Sequence, residues 1–154
     1  MKLNAFTDYS LRVLIYLATQ PTERATIADI ATAFEVSANH LTKVVHFLAR
    51  TGWVTSVRGK GGGLELGMPP ELIGVGDVVR AAEGSPLPAE CFDEGGGQCR
   101  IGAVCGLRGV LGEAVNAFYA TLDAYSLADL VHNRPALAGI LFVPKVQPGT
   151  TQSP

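Results

Sequence analysis

The stretch that decides the fold is residues 26–66, TIADIATAFEVSANHLTKVVHFLARTGWVTSVRGKGGGLEL. Thr26 and Asp29 stand three residues apart ahead of apolar residues at helical intervals, which is the spacing of a capping box. A second helical pattern follows Ser37, a good capping residue, and ends at Thr51–Gly52. Two short helices joined by a tight corner predict a helix-turn-helix.

A short β-hairpin is predicted directly after the second helix. Residues 53–57, WVTSV, and residues 64–66, LEL, have strand composition, and the glycine-rich tip RGKGGG at 58–63 connects them. A helix-turn-helix followed by a hairpin with a basic tip is typical of a winged helix-turn-helix domain. We therefore expect a fold that is mainly α with a small β-wing.

Further helices are predicted on both sides of this stretch. A first helix should have Thr7 as its N-cap and end at Gln20–Pro21, and GDVVRAAEG at 76–84 indicates another. A longer helix over 107–124 carries an apolar stripe of Leu111, Val115, Phe118 and Leu122. These apolar side chains must be covered by another surface. The simplest candidate is the same helix in a second copy of the chain, and the alternative is packing onto the N-terminal domain.

The total charge argues against a nucleic-acid partner, but its distribution does not. The chain carries 12 Lys and Arg against 14 Asp and Glu, a net charge of −2, whereas DNA-binding domains are usually basic. Residues 1–67 hold seven cations and five carboxylates, and residues 68–154 hold five cations and nine carboxylates. Residues 36–63 hold four cations and no carboxylate. The local field decides whether a polyanion is attracted.

This basic stretch falls on the second helix and the wing, the elements that contact DNA in winged helix-turn-helix domains. Short polar side chains in the first turns of the helix can read base edges, and glycines at the tip let the backbone approach a phosphate. The alternative is a solvated basic face on a small helical domain. The candidate DNA contacts are Ser37, Asn39, His40, Lys43, Arg58, Lys60 and Gly61.

All three cysteines, Cys91, Cys99 and Cys105, lie in one glycine-rich loop. Independent buried thiols would not concentrate there, and a disulfide would leave one cysteine over. Zinc sites usually have four protein ligands in C-x2-4-C pairs, which are absent. Iron–sulfur clusters also bind thiolates, and widely spaced ligands on a supple loop can wrap one. Three thiolates leave one position open for a small molecule, a water or another residue of a dimer.

Composition and motifs also restrict the class of protein. With 47% hydrophobic and 17% charged residues, the chain is not disordered. No run approaches about 18 apolar residues and no signal-peptide pattern is present, so we expect a cytoplasmic protein with no membrane partner and reduced thiols. No nucleophile–base pair or phosphate-binding motif indicates an enzyme, although an iron–sulfur redox domain remains an alternative.

Several segments together resemble one family. They are MKLNAFTDYSLRVLIYLA at 1–18, RGKGGGLELG at 58–67, the GDVVRAAEG segment, and the cysteine loop followed by a long helix. The chain resembles the iron–sulfur cluster winged-helix transcription regulators of the IscR type over about residues 1–135. Asp8 and the segment AFYATLDAYSLADLV resemble the NsrR branch of that family, whose members are nitric-oxide-sensing repressors.

The resemblance implies a homodimer with one iron–sulfur cluster per subunit, [4Fe–4S] with [2Fe–2S] as the alternative. It implies Cys91, Cys99 and Cys105 as ligands, with Asp8 of the partner subunit as the fourth. Without such a role Asp8 is a first-turn carboxylate that stabilises the helix dipole. Arg12, one turn further on, is expected to pair with Asp8 or to lie near the anionic cluster, and the alternative is an arginine that faces solvent.

The resemblance also implies a function. The protein would repress transcription from a two-fold site in double-stranded operator DNA, and nitric oxide would nitrosylate the cluster, release the DNA and derepress nitric oxide detoxification genes. The alternative is the same architecture sensing redox state or iron–sulfur cluster supply.

These inferences divide the chain into four parts. We expect a winged helix-turn-helix DNA-binding domain over 1–84 and a cluster-binding loop over 85–106. A dimerisation helix and a following turn are expected over 107–134. A tail is expected over 135–154, with a disordered end.

Overall fold

The computed structural model describes residues 2–20, 22–84, 92 and 99–142, and it is mainly helical with a small antiparallel sheet. In chain order the elements are α1 (Ala5–Thr19), α2 (Ile27–Phe34), α3 (Ala38–Arg50), β1 (Val54–Val57), β2 (Gly63–Leu66), α4 (Val75–Glu83), α5 (Gly106–Asp123), α6 (Leu127–Leu130) and α7 (Arg134–Leu141). Single 3-10 turns lie over Pro70–Leu72 and Gly102–Val104. The predicted mainly α fold with a β-wing is confirmed.

The first helix begins earlier than predicted, with Asn4 as its N-cap. The Asn4 side chain accepts hydrogen bonds from the Thr7 N–H at 2.8 Å and from the Thr7 hydroxyl at 3.1 Å. Thr7 is fully buried inside the helix. The prediction of Thr7 as the cap is wrong because Asn is an equally good capping residue, and it is Asn4 whose backbone is extended.

The helix-turn-helix forms where the capping residues predict it. Thr26 and Asp29 make a complete capping box at α2, with the Thr26 N–H donating to Asp29 Oδ2 at 2.8 Å. Glu35 makes the corner with a left-handed φ of +54°, and its N–H donates to the Thr32 carbonyl. Ser37 precedes α3 as predicted, but its side chain makes no capping hydrogen bond.

One hydrophobic core joins α1, the helix-turn-helix and α6. Val13, Leu14 and Leu17 of α1 are almost inaccessible to solvent. Other fully or almost fully buried members of the core are Ile30, Leu41, Val44, Leu48, Val78, Leu127 and Val131. Fully burying a side chain of this size contributes about 1.5–3 kcal/mol. The turn that we expected to follow the dimerisation helix therefore belongs to the core of the winged domain.

The wing is a two-stranded sheet that a third segment joins from outside. β1 and β2 pair antiparallel, with Val54 opposite Leu66. Ala25, just before α2, pairs with Leu64 on β2 through two backbone hydrogen bonds of 3.1 and 2.7 Å. The wing is thus tied to the start of the helix-turn-helix.

The two halves of α5 have different surroundings. In the C-terminal half, Tyr119 is buried against Val75 and Val79 of α4, and the stripe residues Val115, Phe118 and Leu122 pack on the same contact. In the N-terminal half, Leu107 and Val110 are each 62% exposed. Three of the four stripe residues therefore pack onto α4, and the exposed apolar side chains of the N-terminal half, Leu107 and Val110, lie outside the predicted stripe.

An ion pair clamps α4 to the end of α5. Two nitrogens of the Arg80 guanidinium donate to the Asp123 carboxylate, Nη1 at 2.7 Å, and the guanidinium lies 4.5 Å from the centre of the Tyr119 ring. A Cβ at position 76 would collide with that carboxylate, so Gly76 lets the two helices approach. The hydrogen bonds from Arg80 hold the pKa of Asp123 below its ordinary value.

A helix lies where only a tail was expected. α7 begins at Arg134 with Pro135 in its first turn, where the missing N–H of proline costs nothing. Leu137, Leu141 and Phe142 pack against the core, and the rings of Phe142 and Tyr16 lie 4.9 Å apart. The expected disordered end of the chain, within 143–154, lies outside the described residues.

Candidate DNA-binding surface and cysteine loop

α3 separates an apolar face from a polar one. Its buried residues are Leu41, Val44, Val45 and Leu48. The candidate DNA contacts Ser37, Asn39, His40 and Lys43 are all exposed, and so are His46 and Arg50 further along the helix. The burial of one face leaves the polar face open, as a helix that enters the major groove requires.

Aromatic contacts brace α3 against its neighbours. The rings of Tyr9 on α1 and His40 on α3 are stacked, with centroids 6.3 Å apart and planes 18° apart. Phe47 lies edge-on to Phe6 of α1 at 5.2 Å and to Trp53 before the wing at 6.1 Å. Tyr9 was not among the predicted site residues, because only the folded chain shows that its ring stacks on a side chain of α3.

The wing presents its basic tip to solvent. Arg58, Lys60 and Gly61 are exposed as predicted. Gly59 and Gly61 have positive φ angles of 98° and 77°, which favour glycine, so they form the tight tip. The candidate contacts of α3 and those of the wing thus lie on the surface of two elements that follow one another in the chain.

Asp8 and Arg12 form an ion pair on α1. Arg12 Nη2 lies 2.9 Å from Asp8 Oδ2, and the side chains are 41% and 46% exposed for Arg12 and Asp8 respectively. The Arg12 guanidinium also lies 5.7 Å from the centre of the Phe34 ring on α2. The pairing expected from the sequence is therefore present, and the Asp8 carboxylate remains accessible for another ligand.

Two of the three cysteines lie in the described part of the chain, whereas Cys91 lies outside it. Cys99 is exposed and accepts a hydrogen bond on its carbonyl from the Gly102 N–H at 3.0 Å. Cys105 is half-buried and is the N-cap residue of α5. Neither thiol forms a disulfide. Within residues 2–20, 22–84, 92 and 99–142, no three His, Cys, Asp or Glu residues are grouped closely enough to hold a metal ion.

The donor chemistry of this loop fits an iron–sulfur cluster. Cys99 and Cys105 are unpaired thiols at the two ends of a short turn, and thiolates are the usual ligands of such clusters. The Phe92 side chain lies against α5, since its ring is 3.7 Å from the position of a Cβ on Gly112 and 5.7 Å from the Arg108 guanidinium.

No helix in the described parts of the chain is both long enough and apolar enough to span a bilayer.

Comparisons with known proteins agree with this geometry. Residues 3–133 match the model of the Rrf2 family, described as an iron-dependent transcriptional regulator. The HTH-type transcriptional regulator NsrR of Bacillus subtilis (strain 168) is 49% identical over 142 residues, which is 92% of this chain and 97% of that protein.

Solved structures share the fold. IscR of T. potens is 26% identical with a TM-score of 0.70, over 86% of this chain and 88% of that one. CymR, the global cysteine regulator of B. subtilis, is 27% identical with a TM-score of 0.68, over 86% of this chain and 98% of that one. The family match, the relatives and the exposed polar face of α3 agree: the chain belongs to the Rrf2 family and is a DNA-binding transcriptional regulator, not an enzyme.

Proposed function

We propose that this protein represses transcription from a two-fold operator and releases the DNA in response to nitric oxide through an iron–sulfur cluster. The observation that carries the proposal is the position of Cys105 at the N-cap of α5, the helix whose other end Arg80 clamps to α4. The conformation of the cysteine loop is thereby connected to the winged domain by one continuous helix. The resemblance to the nitric-oxide-sensing branch of the family supplies the signal.

The residues that would hold the cluster are Cys91, Cys99 and Cys105, with Asp8 of the partner subunit completing the set. When bound, a [4Fe–4S] cluster, or [2Fe–2S] as the alternative, supplies irons that react with nitric oxide. The accessibility of Asp8 supports its role, because its carboxylate is about half exposed and its partner within the chain is an equally exposed arginine. Asp8 therefore has two possible partners, the Arg12 guanidinium and an iron.

A homodimer is the assembly that the exposed half of α5 supports. Leu107 and Val110 lie on one helix, and Ile101 and Val104 lie just before it, all largely exposed. In a two-fold dimer through this surface, the α3 helices of the two subunits would act as recognition helices. They would enter successive major grooves, which are about 34–36 Å apart. Binding to operator DNA places the dimer in the cytoplasm.

The link from Asp8 to DNA follows from the described contacts. Tyr9 follows Asp8 in the chain, and its ring stacks on His40 of the recognition helix. A change in the partner of Asp8 would shift this part of α1 and with it the Tyr9–His40 contact. Losing about half of a typical 4–10 kcal/mol of specific interaction free energy would empty the operator.

The test is a DNA-binding titration of anaerobically purified protein on a duplex that the protein selects from a random-sequence library. Nitric oxide should release the duplex, whereas dioxygen in equal amounts should not. Release by dioxygen or by redox change alone, with nitric oxide inert, would instead support a sensor of redox state or cluster supply.

Ligand variants sharpen this experiment. Cys99→Ala should lose iron and sulfide and weaken specific DNA binding, and Asp8→Ala should retain a cluster with a changed absorption spectrum. Asp77→Ala, which removes a first-turn carboxylate of α4 instead, is the matched control and should leave the spectrum unchanged. A variant lacking all three cysteines that bound the operator as tightly as the loaded protein would disprove the mechanism.

A further inference from the structure

Arg24, which lies just before α2, holds the wing at two points. Its Nε donates to Glu65 Oε2 on β2 at 2.7 Å, and its Nη1 donates to the Gly61 carbonyl at the wing tip at 3.2 Å. One guanidinium thus bridges the outgoing strand of the wing and its tip. The sequence offered no sign of this contact, since Arg24 and Glu65 are 41 residues apart.

The backbone beside Arg24 is also fitted to the wing. Ala25 and Leu64 exchange two hydrogen bonds, so the segment before α2 pairs with β2 in a defined register. Gly63 has a φ of +152°, and a Cβ at this position would lie only 3.0 Å from the Ala25 carbonyl oxygen and from Arg24 Cβ. This close approach places the Arg24 side chain directly beside the wing.

The tip itself has little to keep it in one conformation. Gly59 and Gly61 have positive φ angles, and within the tip one hydrogen bond is described, from the Gly62 N–H to the Gly59 carbonyl at 2.9 Å. Glycines lose more conformational freedom on ordering than other residues. A side chain that binds the Gly61 carbonyl therefore restricts the tip more than it would restrict an ordinary turn.

We propose that Arg24 is a positioning residue for DNA binding, which holds the wing tip where Arg58 and Lys60 reach the DNA backbone. The inference rests on the proposed DNA contacts of the wing. Glu65 compensates the charge of Arg24, so the contribution of Arg24 comes from the order that it imposes on the tip.

The test measures the affinity of the full-length protein for the library-selected duplex at several salt concentrations. Arg24→Ala should weaken binding about 10-fold and reduce the slope of log affinity against log salt by about 1, as loss of one phosphate contact does. Arg24→Lys, which can hold Glu65 or the Gly61 carbonyl but not both, should lie between Arg24→Ala and wild type. Arg134→Ala removes the same charge from the exposed start of α7 and should leave the affinity unchanged.

Glu65→Gln separates positioning from direct contact. If Arg24 positions the wing, replacing its charged acceptor with a neutral and weaker one should weaken DNA binding a few-fold, even though a negative charge has been removed. If Arg24 contacted the DNA itself, the same variant would bind more tightly, and that result would overturn the proposal.

Two further measurements test the order of the tip. Trypsin should cleave after Arg58 or Lys60 several-fold faster in Arg24→Ala than in Arg134→Ala. The two variants should have the same midpoint of thermal unfolding, because exposed ion pairs add little stability. Lys60→Ala should cost less affinity in the Arg24→Ala background than in wild type, and equal costs would refute the positioning role. If Arg58→Ala and Lys60→Ala both leave the wild-type affinity for DNA unchanged, the wing tip does not contact the DNA. The proposed positioning role of Arg24 would then be wrong as well.

Discussion

The winged domain and the N-terminal half of α5 place apolar side chains in opposite environments. Leu14 and Leu48 in the winged domain are completely buried, whereas Leu107 and Val110 on α5 are each 62% exposed. Apolar surface stabilises a fold only when it is removed from water. The winged domain is therefore stabilised within the chain, whereas the N-terminal half of α5 leaves apolar side chains in contact with water.

The largest effect that separates these regions is expected in the core. Leu48→Ala should lower the free energy of unfolding by about 2–5 kcal/mol, because Leu48 is fully buried and the cavity would not be refilled. Val110→Ala on the exposed half of α5 is the control, and when both variants and wild type are compared at concentrations low enough for the protein to be monomeric it should change this free energy by less than about 0.5 kcal/mol. Urea unfolding followed by circular dichroism measures both, and equal losses would show that the two regions do not differ in this way.

The next effect concerns the exposed half of α5. Val110→Glu should raise the dissociation constant of the homodimer about 100-fold, because a charge would replace an apolar contact at the interface. Ile140→Glu changes a residue on α7 that is 77% exposed and should not alter assembly. Sedimentation velocity distinguishes monomer from dimer. A dimer that survives Val110→Glu but not Ile140→Glu would move the interface to α7.

A smaller effect is expected at the start of α1. Asn4→Ala should cost about 1 kcal/mol of unfolding free energy, because the Thr7 N–H loses its acceptor. Asn4→Ser keeps a capping oxygen and should recover most of the loss. Thermal unfolding of wild type and the two variants in parallel tests this. An Asn4→Ala variant as stable as wild type would indicate that Thr7, and not Asn4, caps the helix.

The smallest effect is expected at the clamp between the regions. Because the pKa of Asp123 is lowered in the folded state, its contribution to stability is present above its unfolded pKa of about 3.9 and is lost as the pH falls toward the folded value. Asp123→Asn should therefore lower the thermal midpoint slightly at pH 7, by less than Leu48→Ala. The difference from wild type should shrink as the pH drops below 4. A difference that does not change with pH would mean that the ion pair makes no contribution.

Local signals predicted the winged domain well. The capping box of Thr26 and Asp29, the end of α3 at Thr51 and the glycine-rich tip each depend on residues close in the chain. The predicted contacts on α3 and the wing all lie on the surface, because a helix or hairpin with one apolar face leaves the other face outside.

Predictions from local sequence failed where the residue types fitted two structures equally well. Asn4 and Thr7 are both capable caps, and burial of Thr7 decided between them. Pro135 after Asn133 looked like the end of structure, yet proline is also accepted in the first turn of a helix. In each case the residue types permitted two structures, and packing on the core selected one.

The sequence by itself determined the order of elements in the winged domain, the basic surface on α3 and the wing, and the thiols of Cys99 and Cys105 ahead of α5. Only the tertiary structure decided that Arg24 reaches the wing tip, that Tyr9 stacks on His40 and that Arg80 clamps Asp123. The physical reason is the separation along the chain of the residues that interact. Caps, periodicity and turns depend on neighbours within a few residues, whereas these contacts join side chains that meet only after the core has brought separate elements together.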